Sequence, residues 1–198
     1  ESWYRYHPLF RAFLLEHLAT RYSVDEVRNL RRQAAIRLAE VGQYEESIVQ
    51  LRQAEDWTAM AGQIIALAPA VLGQGRLATV DEWISAIPKH VLEGNPWLRF
   101  WHACSRLARD PHDAHTMFEQ VFEQFVAQKD QAGTFLAWTN VVRCIFFEWR
   151  GLPRLDAWIA RFRSLHPEGT PYPSSEIEAQ VAEAMAGALV WRQPGNSE

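Results

Sequence analysis

Apolar residues recur at three- and four-residue steps along most of the chain, and each run is bracketed by residues that start and stop helices. Ser23-Val-Asp-Glu26 has the form of a capping box, in which a serine hydroxyl and a glutamate carboxylate satisfy each other's backbone amides. Val27, Leu30, Ala34 and Leu38 follow at helical spacing until Gly42. Asp56 is placed to cap a longer helix whose apolar face holds Met60, Ile64, Leu67 and Val71, with Gly73 and Gly75 as its stop. Asn95-Pro96 and Asp110-Pro111 put proline at the first helical position, where its missing N–H is no loss. Pro173 to Glu178 opens a last helix that reaches about Trp191. The pattern predicts nine or ten helices with short joints and no credible sheet. Strand-like alternation is confined to Trp3-Tyr-Arg-Tyr6, after which His7-Pro8 opens a helix carrying Leu9, Phe10, Phe13, Leu14 and Leu18. This opening reads as the tail of one domain passing into the first helix of the next, so the chain is expected to be a piece of a longer protein.

Short helices in series point to a repeat array, in which a hairpin buries its apolar face only against its neighbours. Leu38-Ala-Glu-Val-Gly42-Gln-Tyr44-Glu-Glu-Ser47-Ile48 looks like the centre of a tetratricopeptide repeat, with one residue between Gly42 and Tyr44 where the consensus has two. A second similarity is internal. Gly75-Arg-Leu77 leads to Trp83-Ile84 and Ile87-Pro88, and Gly151-Leu152 leads to Trp158-Ile159, Phe162, Leu165 and Pro167. The expected fold is all-α, a right-handed array of antiparallel helical hairpins of tetratricopeptide type.

Composition narrows the function classes. A chain of 198 residues with 48% apolar content can bury a substantial core. Its net charge of −4 supplies no positive field for a nucleic-acid backbone, so no direct nucleic-acid contact is expected. Cys104 and Cys144 lack any ligand or disulfide spacing and read as reduced, buried thiols of a cytoplasmic protein. No apolar run is long enough to span a bilayer and no secretory signal is present, so no membrane partner is expected.

Candidate chemistry is sparse. The chain has nine tryptophans. Trp97 and Trp101 share a helix face flanked by His102 and Arg106, while Trp138, Phe146 and Trp149 are interspersed with Arg143 and Arg150. Such faces either fill the layers between helices or stack on a flat ligand, and Trp97, Trp101, Trp138 and Arg143 are the candidate ligand-binding residues. His112, His115 and Glu119 lie along one helical stripe, read as a solvated face and not a metal site. Glu45-Glu46, Asp81-Glu82 and Glu176 with Glu178 read as capping or surface charges, and Arg28, Arg31 and Arg32 as a basic face that pairs with acidic neighbours. No nucleophile with its base and no glycine-rich phosphate loop is present, so neither catalysis nor nucleotide binding by these residues alone is expected.

Tyr4-Arg-Tyr-His-Pro-Leu-Phe-Arg-Ala-Phe-Leu14 resembles the junction in MalT-like, LuxR-type regulators of the STAND class, where a winged-helix domain ends and a helical-repeat arm begins. Gly75-Arg-Leu-Ala-Thr-Val-Asp-Glu-Trp-Ile84 is similar to phrases of the same arm. The resemblance is strongest over residues 3 to 100 and becomes generic repeat character after Pro111. It implies that residues 1–20 are the end of the winged helix and its junction helix, and residues 21–198 the repeat arm. It further implies that His7 meets the phosphate of bound ADP in the whole protein, although Pro8 stands where the family's Met-His-Asp phrase carries Asp. ATP or ADP would then be the cofactor of the whole protein, with none held by this stretch. The implied partners are the protein's own nucleotide-binding domain and an inducer molecule or regulatory protein, with DNA bound by a helix-turn-helix elsewhere. The other reading is a stand-alone adaptor that holds a peptide or protein partner in its groove.

Overall fold

Helix signals spaced this closely leave little room for anything else, and the computed structural model, which describes residues 7–148 and 151–192, is all-α with no strand among the described residues. Eleven helices follow one another: α1 (Pro8–Arg21), α2 (Val24–Glu40), α3 (Tyr44–Gln53), α4 (Trp57–Gly73), α5 (Leu77–Ser85), α6 (Lys89–Glu93), α7 (Pro96–Arg106), α8 (Pro111–Gln128), α9 (Gln131–Glu148), α10 (Arg154–Leu165) and α11 (Ser175–Arg192). The count exceeds the expected nine or ten because a helix as brief as α6 carries no periodic signal. The strand-like Trp3–Tyr6 stretch lies outside the described residues, as do Trp149 and Arg150. No described helix is long and apolar enough to cross a membrane.

The caps form where the sequence places them. The Glu26 amide donates to Ser23 Oγ at 3.3 Å and the Ser23 amide to Glu26 Oε2 at 2.8 Å. Asp56, Asn95 and Asp110 each accept from the amide three residues on, at 3.1 Å. Gly75 and Gly151, the matched glycines of the internal similarity, both take φ of +76°, a left-handed turn that favours glycine. The two sequence phrases therefore encode the same joint.

The chain divides into two compact units, residues 1–66 and 67–198, with the boundary inside α4. The boundary anticipated near residue 20 falls within the first unit.

In the first unit α2 packs on α3 through small residues. Ala35 and Ser47 are both buried, and Ser47 Oγ donates to the Ala35 carbonyl at 2.8 Å and lies 3.0 Å from the side-chain amide of Gln63 on α4. This approach sets the rotation of α2. Val27, Arg31, Ala35 and Leu38 turn inward, whereas Leu30 and Ala34, expected on the buried face, are exposed. Two arginines of this face pair with acidic neighbours, Arg28 with Glu55 and Arg32 with Asp56 at 2.9 Å, whereas Arg31 meets the neutral side chains of Gln50 and Gln53. On α4, Met60 and Ile64 are buried in the first unit and Val71 in the second, each as predicted.

The second unit is built around α9, which packs against α8, α10 and α11. Residues 133–135, 137–142, 144 and 145 of α9 are all buried, so an apolar run with little sidedness becomes a central helix. Phe118, Phe122, Phe125, Phe135, Trp138 and Phe162 form the middle of the core. Their rings meet edge-on or tilted, as at Phe122–Trp158 (5.0 Å) and Trp138–Phe162 (4.6 Å), the geometry that ring quadrupoles favour.

Candidate ligand cleft

Of the residues singled out in the sequence, His7 belongs to the first unit and Trp97, Trp101, Trp138 and Arg143 to the second. His7 caps α1, its Nδ1 accepting from the Leu9 amide at 3.3 Å, which leaves Nε2 as the ring's N–H donor in the neutral form. Trp97 donates to Asp130 Oδ2 at 2.8 Å and packs on Trp101 and Phe125, with ring centroids at 6.2 and 5.0 Å. Trp101 is partly buried against the core, and its Nε1 is buried without a hydrogen-bond partner. Trp138 is 0% exposed and donates to the Trp158 carbonyl at 2.8 Å. Arg143 pairs with Glu183 at 2.8 Å and borders a hollow of about 250 Å³ with Phe146 and Gly187. Trp97 and Trp101 are in direct contact, and Trp97 carries that pair against Phe125 on α8.

The His112, His115 and Glu119 stripe requires a correction. His115 is 3% exposed, not solvated. Ala114, His115 and Phe118 turn together into the core, which carries the imidazole with them. Its Nδ1 lies 2.9 Å from Glu148 Oε1 on α9 and its Nε2 3.5 Å from Glu119 Oε1. His112 is exposed and the Glu119 side chain is about one-third exposed, at 36%. Among the described residues no group of three His, Cys, Asp or Glu side chains is placed to hold a metal ion. A second buried imidazole, His102, meets Asp81 Oδ1 at 3.1 Å, and Asp81 also meets Arg109 at 3.0 Å. Burial holds the His102 pKa below its ordinary value, against the opposing pull of Asp81. Cys104 and Cys144 are free thiols; burial pushes both up, Cys144 to about 12, which keeps them protonated and unreactive.

A roomier feature lies between α10 and α11, a cleft of about 840 Å³. Helix α10 stops at Leu165 because His166 leaves the helical conformation, its amide donating back to the Phe162 carbonyl at 2.9 Å, and Pro167 follows. The connection then runs through Pro167, Pro171 and Pro173, with Gly169 at φ +82°. Helix α11 opens with Ser174 Oγ accepting from the Ile177 amide at 3.3 Å. This proline-rich loop and the first turn of α11 make one wall of the cleft. Aromatic rings make another: His166 lies 4.3 Å from Tyr172, 5.5 Å from Phe162 and 4.9 Å from Phe135, centroid to centroid. His166 is 9% exposed, and its Nδ1 is buried without a hydrogen-bond partner. Arg163, Glu168 and Glu178 bring both charge signs to the lining, beside the hydroxyls of Thr170, Ser174 and Ser175. Burial, then the Glu178 carboxylate, raises the Tyr172 phenol above its ordinary pKa.

Helical periodicity is silent about this cleft, since its lining comes largely from a loop. The signal that could have found it is the proline-rich run His166 to Ser175, longer than the joints between most other helices.

No family model matches the chain. Searches of curated proteins and of solved structures likewise gave no significant match.

Proposed function

We propose that the chain is the regulatory helical-repeat arm of a signal-responsive STAND transcriptional activator. In this reading it couples sensing of an inducer molecule or regulatory protein to a nucleotide switch and to self-association, works in the cytoplasm, and has no catalysis of its own. One observation carries the reading beyond the sequence resemblance: the helices of the first unit leave large apolar side chains uncovered, among them Leu9 (75% exposed), Val24 (68%) and Phe13 (58%). Large apolar side chains left at the surface in this way suit a face used against another protein surface. The resemblance places α1 at the joint with the switch, which makes the protein's own nucleotide-binding domain the fitting cover. Release of that face when ATP and a signal favour the open form would then couple the two sites through their different affinities for the two states.

His7 fits the same scheme. With Nδ1 engaged as the helix cap, the Nε2 N–H is left to donate to a phosphate near the start of α1, where unpaired amides and the helix dipole also favour an anion. The adaptor reading draws on a different feature, a groove of about 420 Å³ in the first unit lined by Leu18, Tyr22, Val27, Arg28 and Glu55, with room for part of a peptide. The coding sequence on either side separates the two. A Gly-x-x-x-x-Gly-Lys-[Ser/Thr] loop upstream and a helix-turn-helix downstream support the activator arm. A reading frame that opens just before residue 1 and closes just after residue 198 supports the adaptor.

A further inference from the structure

We infer that α4 is a hinge, a helix that bends at Pro69 and lets the two compact units move as separate bodies. The inference does not rest on the activator reading, since the bend is a property of this helix whatever lies beside the chain in the gene.

The anchoring of α4 is divided between the units. Its first half belongs to the first unit, in which Met60, Ala61 and Ile64 are buried, and its second half to the second unit, in which Ala68 and Val71 are buried. The boundary falls between residues 66 and 67, in the one turn that separates Ile64 from Ala68. Pro69 stands just after that turn, inside the helix, whereas Pro8, Pro96 and Pro111 open the helices that hold them. A proline in a helix interior has no N–H for the carbonyl four residues back, here that of Ile65, and its ring crowds the same carbonyl. The missing bond from residue 69 to residue 65 therefore spans the unit boundary.

A second residue weakens the same stretch. Gly62, Ala66 and Pro69 recur at four and three residues on one exposed face, opposite the buried Ile64 and Ala68. A Cβ at Gly62 would meet nothing within 4 Å, so packing does not call for glycine there, and its effect is to lower helix stability. Sharp bends in helices arise at such breakers, and on this face the Ile65 carbonyl left without its helical donor is next to water. Compact units joined by a weakened connection move independently by default. Movement at α4 would let the exposed apolar side chains of the first unit, Leu9 and Phe13 among them, be covered or bared without strain reaching the aromatic core of the second.

The test is the distance distribution between spin labels, read by double electron–electron resonance on the 198-residue chain. One pair crosses the boundary, Gln33→Cys on α2 with Ala182→Cys on α11, and a control pair lies within the second unit, Gln128→Cys with Ala182→Cys, all at exposed positions. Cys104 and Cys144, held protonated by burial, stay unlabelled. The crossing pair should give a distribution roughly twofold wider than the control, and Pro69→Ala together with Gly62→Ala should narrow it toward the control width while leaving the control unchanged. A crossing pair as narrow as the control in the natural sequence would overturn the inference, and that comparison needs neither helix variant to fold. So would a crossing distribution that keeps its full width when both breakers are replaced.

Discussion

In the first unit the helices carry more apolar side chains than their own packing uses: Leu9, Phe13, Val24, Leu30, Ile36 and Val49 all remain exposed. In the second unit a larger aromatic core is enclosed, with Phe100, Phe118, Phe122, Phe125, Phe135 and Trp138 fully buried, although Phe147, Val190 and Trp191 are exposed. Both regions show helical periodicity, so periodicity alone does not say whether an apolar face is covered within the chain. The difference lies in size and neighbours. In the second unit α9 is surrounded by α8, α10 and α11, whereas the α2–α3 contact of the first unit is centred on the small residues Ala35 and Ser47. A region that completes its own core needs no partner for stability.

The sharpest way to break this contrast is to remove the centre of the second core. Trp138→Ala deletes a fully buried indole and leaves the Trp158 carbonyl without its donor, at a cost of about 3–5 kcal/mol in denaturant unfolding followed by near-ultraviolet circular dichroism. Gly133→Ala probes the same core from the opposite direction. A Cβ at that position overlaps the ring of Phe125, and because Phe125 is itself buried the overpacking should cost about 1–3 kcal/mol in the same assay.

Acidification should also act on the second unit. His102 is buried beside Asp81, with Arg106 and Asp113 near, and its folded-state pKa is lowered. The unfolded chain therefore binds the proton first, so stability is fully present above about pH 6.5, is lost as pH falls below that value, and levels off under the folded pKa. Urea midpoints measured across that range should fall on the acid side for the natural chain and change less in His102→Asn. The smallest effect belongs to the first unit: Phe13→Ser should change unfolding free energy by about 0.5 kcal/mol or less, because the ring is exposed, while reducing the binding of a hydrophobic dye. A large loss of stability there would erase the contrast.

Much of this fold was legible in the chain. The Ser23 capping box, the Asn95 and Asp110 caps and the left-handed Gly75 and Gly151 are local devices, set by side chains within three residues of the backbone they serve. Features that depend on a second helix were not. Leu30 and Arg31 exchange places relative to the expected face because the Ala35–Ser47 approach fixes the rotation of α2, and an arginine stem packs while its guanidinium reaches Gln50. His115 looked solvated because its partner, Glu148, lies on the next helix. The cleft escaped notice for a related reason: its charged and aromatic lining converges from α10, the loop and α11, and no spacing rule joins Arg163 to Glu178.

The central claim, that the second unit is complete in itself and the first is not, is tested most directly by hydrogen–deuterium exchange across the whole chain. Amides of α8 and α9 should exchange only through global unfolding, and those of α1 to α3 many times faster, through local opening. Equal protection of α1 to α3 and of α9 would contradict the account, since it would mean that the exposed apolar helices of the first unit are already held as firmly as the aromatic core.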